Sequence, residues 1–516
     1  MLFIGNTQEA YSLYHNVWRQ SIKLYRNNNH ECQQAIVIGG GGVCLDHKSR
    51  YQQQHSQHRS TRFCDESSSN IKKSVRHLPN KVYYELHCSD TDIICDHVNN
   101  TVNAATEIIS SIIQLETPLY VNISYFSFCD LYEECTINND EVSIGQAYPS
   151  VSYLMTDGSD NMTRMYPQAT LKQFTHLKPK PQWLEFDIIA EFNGDNNWYF
   201  VDDSSAISSD QSDLLRTILH ELVHGLGFIS SWSDDLYQRF QPYVDGLIPF
   251  LTPMLLTPPK QLESIMQNEN TDEGNQPFWG FVELPMDKYL KYHSVPLSTI
   301  TNILNNWGNA NILYNSIYDM VNAWVDSNLS VYAQSVYYGS ITIQDILLVF
   351  PNSNNTVTME TSLVPFTDGS TLSHVDYSSY HNSADYLMTY TTKPGVSIAS
   401  MNQAFSTGPL GPNLLQSLSS LGYRIHSQSS SSTIRPPLTY WNPPSGLVGT
   451  TDNPSASASI VPSGPARPPP SSSSSTAPSH SSSTASSHLG LFGYFIKSHP
   501  FLTSILLVIW SRIVFL

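Results

Sequence analysis

The sequence has 516 residues, 40% of them apolar, which is close to the range of globular proteins. This composition supports one large hydrophobic core or two modest ones, and it excludes a chain that is disordered throughout. The balance of 26 basic against 44 acidic residues gives a formal net charge of -18, which argues against nucleic acid and mildly against an anionic membrane surface as partner. A solvated, soluble surface accounts for the same charge.

The N-terminal region, residues 1–87, is rich in Gln, Asn, His and Ser and has little apolar periodicity. We expect it to be poorly ordered or to be a pro-segment. The start of the chain lacks the basic residues and the continuous apolar run of a signal peptide. A mis-assigned start codon or an unconventional leader therefore stays open.

The cysteines and the glycosylation sequons both agree with a secretory route. All seven cysteines lie in the first 135 residues: Cys32, Cys44, Cys64, Cys88, Cys95, Cys129 and Cys135. The short spacings of Cys88 with Cys95 and of Cys129 with Cys135 suit local disulfides, although the sequence does not fix the connectivity, and the odd count leaves one thiol over. Five N-x-S/T sequons are candidate glycosylation sites, at Asn99, Asn122, Asn161, Asn328 and Asn354.

Apolar spacing predicts an α+β fold. Positions 102–115 have the spacing of a helix, and the alternation from Leu119 to Tyr125 predicts a strand directly after it. A second alternation, from Leu184 to Phe192, ends at an Asn-Gly pair before the apolar run 198–200. We expect this to be a strand, a turn and a second strand.

The most informative stretch is H-E-L-V-H-G-L-G-F, residues 220–228. On a helix, His220 and His224 lie one turn apart and can offer two imidazole nitrogens to one metal ion, with the Glu221 carboxylate beside them. Such a carboxylate can take a proton from a water whose pKa a zinc ion has lowered to ~7. The motif with its glycine at position 227 arises by chance in about one such chain in a thousand. Candidate N-caps of the helix are Ser208, Asp210 and Ser212.

A catalytic zinc ion needs a third protein ligand. No glutamate lies between Glu221 and Glu263, and the position of the third histidine in the short motif H-E-x-x-H-x-x-G-x-x-H is Ser230. Cysteine is absent from this region, which disfavours a thiolate ligand. Downstream, G-S-T-L-S-H-V-D (369–376) is followed by Y-L-M-T-Y (386–390). The candidates are therefore His374 and, seven residues later, His381.

With these motifs the chain resembles the leishmanolysin-like metzincins, in which a long insertion separates the helix from the third histidine. The resemblance implies that His374 is the third zinc ligand and that Met388 forms the methionine turn beneath the metal. Tyr390 matches a tyrosine that touches the zinc or the oxyanion in other metzincins. Asp376 either orients a ligand or caps a turn.

The resemblance also implies a metzincin-like zincin architecture. Its parts are an upper strand and helix subdomain, the zinc helix, and a lower subdomain with an insertion at 231–368, all within a catalytic domain at 88–425. Metzincins place the edge strand that pairs with an extended substrate just before the zinc helix, where residues 184–200 lie. We assign the aromatic stretch 278–282 of the insertion to core packing.

The C-terminal part of the sequence changes character twice. Residues 413–421 have the spacing of a closing helix, and we expect globular structure to end near Ile425. Residues 426–488 are rich in Ser, Pro, Thr and Ala and predict a disordered, O-glycosylated stalk. The apolar tail at 489–516 matches a GPI-attachment signal, with a tail anchor as the alternative.

Together these features predict a zinc-dependent (Zn2+) endopeptidase at the cell surface or secreted, with Glu221 as general base. Its expected partner is a protein or peptide substrate, and it meets a membrane only through the C-terminal anchor. Two alternatives stay open. One is a non-catalytic surface adhesin on a zincin fold, and the other is a metallohydrolase that acts on non-peptide substrates.

Overall fold

The computed structural model describes residues 20–26, 32–38 and 276–277 as backbone strands, and residues 81–132, 143–178, 180–181, 183–256, 278–307, 312–351, 355–427 and 433–441 in full. Two compact units divide the chain, Met1–Pro454 and Ser455–Leu516, and every described residue belongs to the first. Most of the predicted stalk and the whole predicted tail lie outside the described residues. Within the described ranges, no helix has both the length and the apolar character needed to cross a bilayer.

Helices and strands are mixed along the chain, so the α+β class is confirmed. The strands are β1 Gln20–Arg26, β2 Cys32–Ile38, β3 Val82–Cys88, β4 Ile113–Gln114, β5 Leu119–Phe126, β6 Gly145–Pro149, β7 Ser152–Asp157, β8 Met162–Pro167, β9 Ile188–Asn193, β10 Trp198–Tyr199, β11 Ser212–Asp213, β12 Met254–Leu256, β13 Gln276–Phe278, β14 Gly280–Val282, β15 Leu290–Tyr292, β16 Val295–Pro296, β17 Ile312–Tyr314, β18 Ile346–Val349, β19 Thr356–Thr358, β20 Arg424–Ile425 and β21 Leu438–Tyr440.

The α-helices are α1 Asp92–Ile112, α2 Phe128–Tyr132, α3 Gln168–Leu171, α4 Leu214–Gly225, α5 Asp235–Phe240, α6 Leu297–Leu304, α7 Ile317–Val325, α8 Ser330–Ser340, α9 Tyr377–Tyr380, α10 Ile398–Ala404 and α11 Pro412–Ser420. Short 3₁₀ turns cover Gln241–Tyr243, Pro285–Tyr289 and Tyr386–Met388.

The central sheet has the order β3–β5–β9–β6. Strands β3, β5 and β9 are parallel, and β6 is the antiparallel strand at the edge. Helix α1 connects β3 to β5 and buries a stripe that includes Val98, Val102 and Ile109. The predicted helix is confirmed, although it begins ten residues earlier than the apolar pattern indicated, where Thr91 caps it by accepting a hydrogen bond from the amide of Ile94.

The strand, turn and second strand predicted for residues 184–200 are confirmed as β9, a turn and β10, but the expected position at the edge of the sheet was wrong. Strand β9 lies inside the sheet with all six residues buried, so it is not the edge strand. Strand β10 does not fold back on β9 but pairs in parallel with β11. The edge is β6, whose five residues G-Q-A-Y-P have no apolar alternation that would have revealed it.

A second sheet extends the fold past both predicted boundaries of the catalytic domain. Its order is β1–β2–β7–β21, and β8 also pairs with β7. Leu438 of β21 is buried, and the Arg435 side chain bonds to the Gly422 carbonyl and to Glu116. The packed chain therefore continues to at least Trp441 rather than ending near Ile425. At the other end β3 begins at Val82, inside the region expected to be poorly ordered or a pro-segment.

The insertion, residues 231–368, packs an aromatic cluster around Trp307 and Trp324 that is continuous with the main core. Phe278, Trp279 and Phe281 are buried, which confirms their assignment to core packing. A buried ion pair fixes the insertion to the β7–β8 hairpin, since Arg164 Nε donates to Glu283 Oε2 at 3.1 Å.

The predicted local disulfide between Cys88 and Cys95 is present at the start of α1. Cys129 is also disulfide-bonded, while Cys135 lies outside the described residues. Of the sequons, Asn161 and Asn328 are exposed, and Asn99 and Asn122 are half-buried. Asn354 lies outside the described residues.

Candidate metal centre

Helix α4 carries the motif in the centre of the molecule. Its N-cap is Asp213, whose carboxylate accepts a hydrogen bond from the amide of Arg216, and not one of the three residues expected from the sequence. All twelve residues of α4 are buried, so the helix is covered on every side. Gly225 permits this close packing, because a Cβ at that position would overlap the Ile188 side chain of β9. Gly227, at φ +105°, turns the chain away from the helix end.

Three histidine nitrogens converge at the C-terminal half of α4. The Nε2 atoms of His220 and His374 are 3.0 Å apart, and the Nε2 atom of His224 is 3.1 Å from each of them. The side chains are buried, with 6–8% of their surface exposed. They are the cluster that suits a metal ion in the part of the chain that the structure describes.

In each of these histidines the second ring nitrogen, Nδ1, is hydrogen-bonded to a backbone carbonyl. His220 Nδ1 donates to Leu387 O at 2.6 Å, and His224 Nδ1 donates to Phe228 O at 2.8 Å. His374 Nδ1 donates to Ser370 O at 2.9 Å. A carbonyl oxygen only accepts, so the proton of each neutral ring is on Nδ1 and the lone pair is on Nε2. Three lone pairs therefore point at one another with no proton between them.

The electrostatic surroundings keep all three rings neutral. Burial lowers the pKa of His224 to about 4, and burial with the charge of His224 lowers the pKa of His374 to about 3. Burial and its two histidine neighbours hold the pKa of His220 well below its usual value. Neutral imidazole is the form that binds a metal. The spacing of the nitrogens is also close to the ~3.3 Å that tetrahedral zinc with Zn–N bonds of about 2.0–2.1 Å requires.

The turn that contains Met388 supports two of the histidines through its backbone. Leu387 supplies the carbonyl for His220, and Met388 O accepts from the amide of Val375, the residue after His374. The Met388 side chain is buried in the main core. This 3₁₀ turn therefore fixes the distance between α4 and the segment that carries the third histidine.

Glu221 lies against the edge strand of the sheet. It is buried, and burial raises its pKa to about 8 while a hydrogen bond from the amide of Ala147 opposes that rise. Asn193 N donates to Ile144 O at 3.0 Å, so Ile144 bonds to β9. In an antiparallel pair every second residue bonds to the partner strand, and the residues between them point their N–H and C=O groups away from it. Ala147 is three residues further along, so its N–H and C=O point away from β9, toward the open edge.

The start of the insertion holds the segment after α4 against the third histidine. Ser230 N donates to Ser373 Oγ at 3.2 Å, so the position that a short motif would give to histidine lies beside His374. The buried carboxylate of Asp287 accepts from the hydroxyl groups of Ser230 and Ser231, both at 2.6 Å.

Three other predicted residues lie outside the triad. His381 is exposed, stacks on Tyr377 at 4.7 Å between ring centroids, and is not near the other two histidines of the motif. Asp376 caps α9 by accepting from the amide of Ser379, so of its two expected roles it has the capping one. Tyr390 is half-buried with its ring edge against Tyr377.

Two buried polar groups near the triad were missed by sequence reasoning. Arg216, one helical turn before His220, has 5% of its surface exposed, and its Nε has no hydrogen-bond partner. Its guanidinium lies over the ring of Tyr386, 5.1 Å from the centroid, and the Tyr386 hydroxyl is also buried without a partner. Burial lowers the pKa of Arg216. A signal existed in the sequence, because Arg216 is the charged residue in the mostly apolar segment L-L-R-T-I-L (214–219) directly before the motif.

The site is a buried cluster of three histidines with an adjacent glutamate, an arrangement that suits a metal ion. The chain belongs to the SPBPB7E8-like family, whose sequence model matches residues 44–461. An uncharacterized protein of Schizosaccharomyces pombe, PB7E8.01, is 27% identical over 362 residues, covering 66% of this chain and 60% of that protein. The chain therefore matches less than two thirds of that relative's length. No solved structure matches the chain.

Proposed function

We propose that this protein is a zinc-dependent endopeptidase with a metzincin-like zincin fold. The observation that carries the proposal is the triangle of His220, His224 and His374 Nε2 atoms, each ring fixed by a backbone carbonyl. Three imidazole nitrogens leave one tetrahedral position for water, which is the ligand set of catalytic rather than structural zinc. The sheet order, with its antiparallel edge strand above α4, supports the same assignment.

Each residue of the site has its own role in the proposed hydrolysis. A bound zinc ion would lower the pKa of a water molecule and polarise the carbonyl of the substrate. Glu221 takes the proton of the attacking water and passes it to the leaving amine nitrogen. The backbone carbonyls at Phe228, Ser370 and Leu387 hold the histidines in place.

The open edge of β6 supports a peptide as the substrate. An extended peptide can add to such an edge through main-chain hydrogen bonds. Ala147 points its C=O toward this edge, while its N–H donates to the Glu221 carboxylate. A peptide paired with β6 thus passes directly over the catalytic carboxylate, and no side-chain pocket is needed to bring the peptide bond there.

The Cys88–Cys95 disulfide supports a secretory location, because such bonds persist in oxidising compartments. The two exposed sequons, at Asn161 and Asn328, agree with it. These features support the proposal of an extracellular enzyme, at the cell surface through a C-terminal GPI anchor or in secreted form.

Metal removal tests the proposal. The full-length protein is expected to cleave casein, to lose cleavage on treatment with a zinc chelator, and to regain it with zinc but not with magnesium. Nitrogen ligands favour zinc, whereas magnesium prefers oxygen. Mass spectrometry of the products should show new peptide termini. Cleavage that persists after complete removal of zinc would contradict the proposal.

A further inference from the structure

Arg216 is a buried cation whose side chain makes no hydrogen bond to a carboxylate in the described residues. The charge of Asp213 only partly offsets the effect of burial, which lowers the pKa of Arg216. The Arg216 side chain donates no hydrogen bond in the described residues, and its contact with Tyr386 is to the face of an aromatic ring. The nearest acidic residue in sequence, Asp213, has both carboxylate oxygens occupied, one by the amide of Arg216 itself and one by the amide of Ile398. A buried charge that is only partly compensated is destabilising.

Arg216 lies next to the proposed catalytic centre. Residues four apart on a helix share a face, so Arg216 lies directly before His220 on α4. Tyr386, which covers the guanidinium, is followed by Leu387, whose carbonyl holds His220. The arginine therefore lies beside the reaction site.

The segment after the methionine turn, residues 391–397, packs beside the start of α4, where Arg216 lies. Gly395 N donates to Gln211 O at 2.8 Å, which brings residues 391–397 against the start of α4. Asp213 links to the following helix, α10, through Ile398. The Arg216 Nε and the Tyr386 hydroxyl, both buried without a hydrogen-bond partner, belong to two side chains that contact each other. One is a donor only, and the other can donate, so the pair matches a carboxylate.

We propose that Arg216 binds the carboxylate of an aspartate or glutamate side chain of the substrate, at a residue adjacent to the scissile bond. The inference rests on the proposed peptidase function and adds its substrate class, peptides with an acidic residue at the cleavage site. Arg–carboxylate pairs are frequently bidentate, and burial makes such a pair strongly selective. The Tyr386 hydroxyl donates a further hydrogen bond to the same carboxylate.

Matched peptides test this specificity. Cleavage sites are first mapped in a peptide library, and the best substrate is then compared with a copy in which Gln replaces the acidic residue. For the wild type, kcat/KM for the acidic peptide is expected to be at least about tenfold higher than kcat/KM for the Gln peptide, because the Gln peptide loses one charge-assisted hydrogen bond. In Arg216→Met the ratio should fall to about one. In Lys393→Met, which removes an exposed charge from the neighbouring loop, it should not change.

A second variant and a binding measurement complete the test. Arg216→Lys keeps the charge without the planar fork and should give an intermediate ratio, which decides the matter if Arg216→Met does not fold. If the wild type cleaves neither peptide, the peptidase proposal fails. The inference is then tested by comparing the melting temperature of the protein in glutarate with that in chloride at equal ionic strength. A rise in wild type that is smaller in Arg216→Lys would support the anion site. Equal cleavage of both peptides by wild type, or no rise in glutarate when nothing is cleaved, would overturn it.

Discussion

Glu221→Gln is expected to lower the rate of peptide hydrolysis by about 10²–10⁴-fold, the range for loss of a general base, while the protein keeps its zinc. Gln has the shape of Glu and can still accept the amide of Ala147, but it cannot take a proton from water. The buried carboxyl lies beside the histidines and does not bond to them, so the three nitrogen ligands stay in place. Casein cleavage and zinc content measured on the same preparation check both parts.

Glu107→Gln, a change of the same chemistry at an exposed position of α1, is the matched control and should leave both quantities unchanged. Full activity in Glu221→Gln would exclude the assigned general base. A wild-type protein that binds zinc yet cleaves nothing would instead favour a non-catalytic surface protein built on the same fold.

His374→Ala is expected to abolish stoichiometric zinc binding and proteolysis together, whereas His381→Ala should affect neither. Removing His374 leaves two nitrogen ligands, fewer than a catalytic zinc site uses. His381 is exposed and stacks on Tyr377, away from the triangle. The measurements are zinc per chain after dialysis and casein cleavage for both variants. Zinc retained in His374→Ala and lost in His381→Ala would reverse the assignment of the third ligand.

The local features of the site could be predicted from the sequence because they depend on neighbours in the chain. Helical spacing placed His220, Glu221 and His224 on one helix, and the alternation from Leu119 gave β5. The third histidine lies 150 positions beyond His224, and only the resemblance connected it to the helix. The structure brings His374, and not His381, to the other two.

The remaining features depend on contacts between distant segments and so leave little trace in the sequence. The three carbonyls that fix the histidines are backbone groups, which any residue type supplies. The edge strand β6 lies among residues without alternation, since its register is set by pairing with β9. The end of the fold was placed too early because β21 is three residues long and follows a Ser-rich segment, yet it pairs with β7. Arg216 was passed over because a lone arginine on a helix is usually solvated.

X-ray diffraction at the zinc absorption edge, from crystals of the full-length protein grown with zinc, tests the central claim most directly. The account predicts one anomalous peak within about 2.0–2.1 Å of the Nε2 atoms of His220, His224 and His374. Crystals that contain zinc elsewhere on the protein, but show no peak within this triangle, would contradict it.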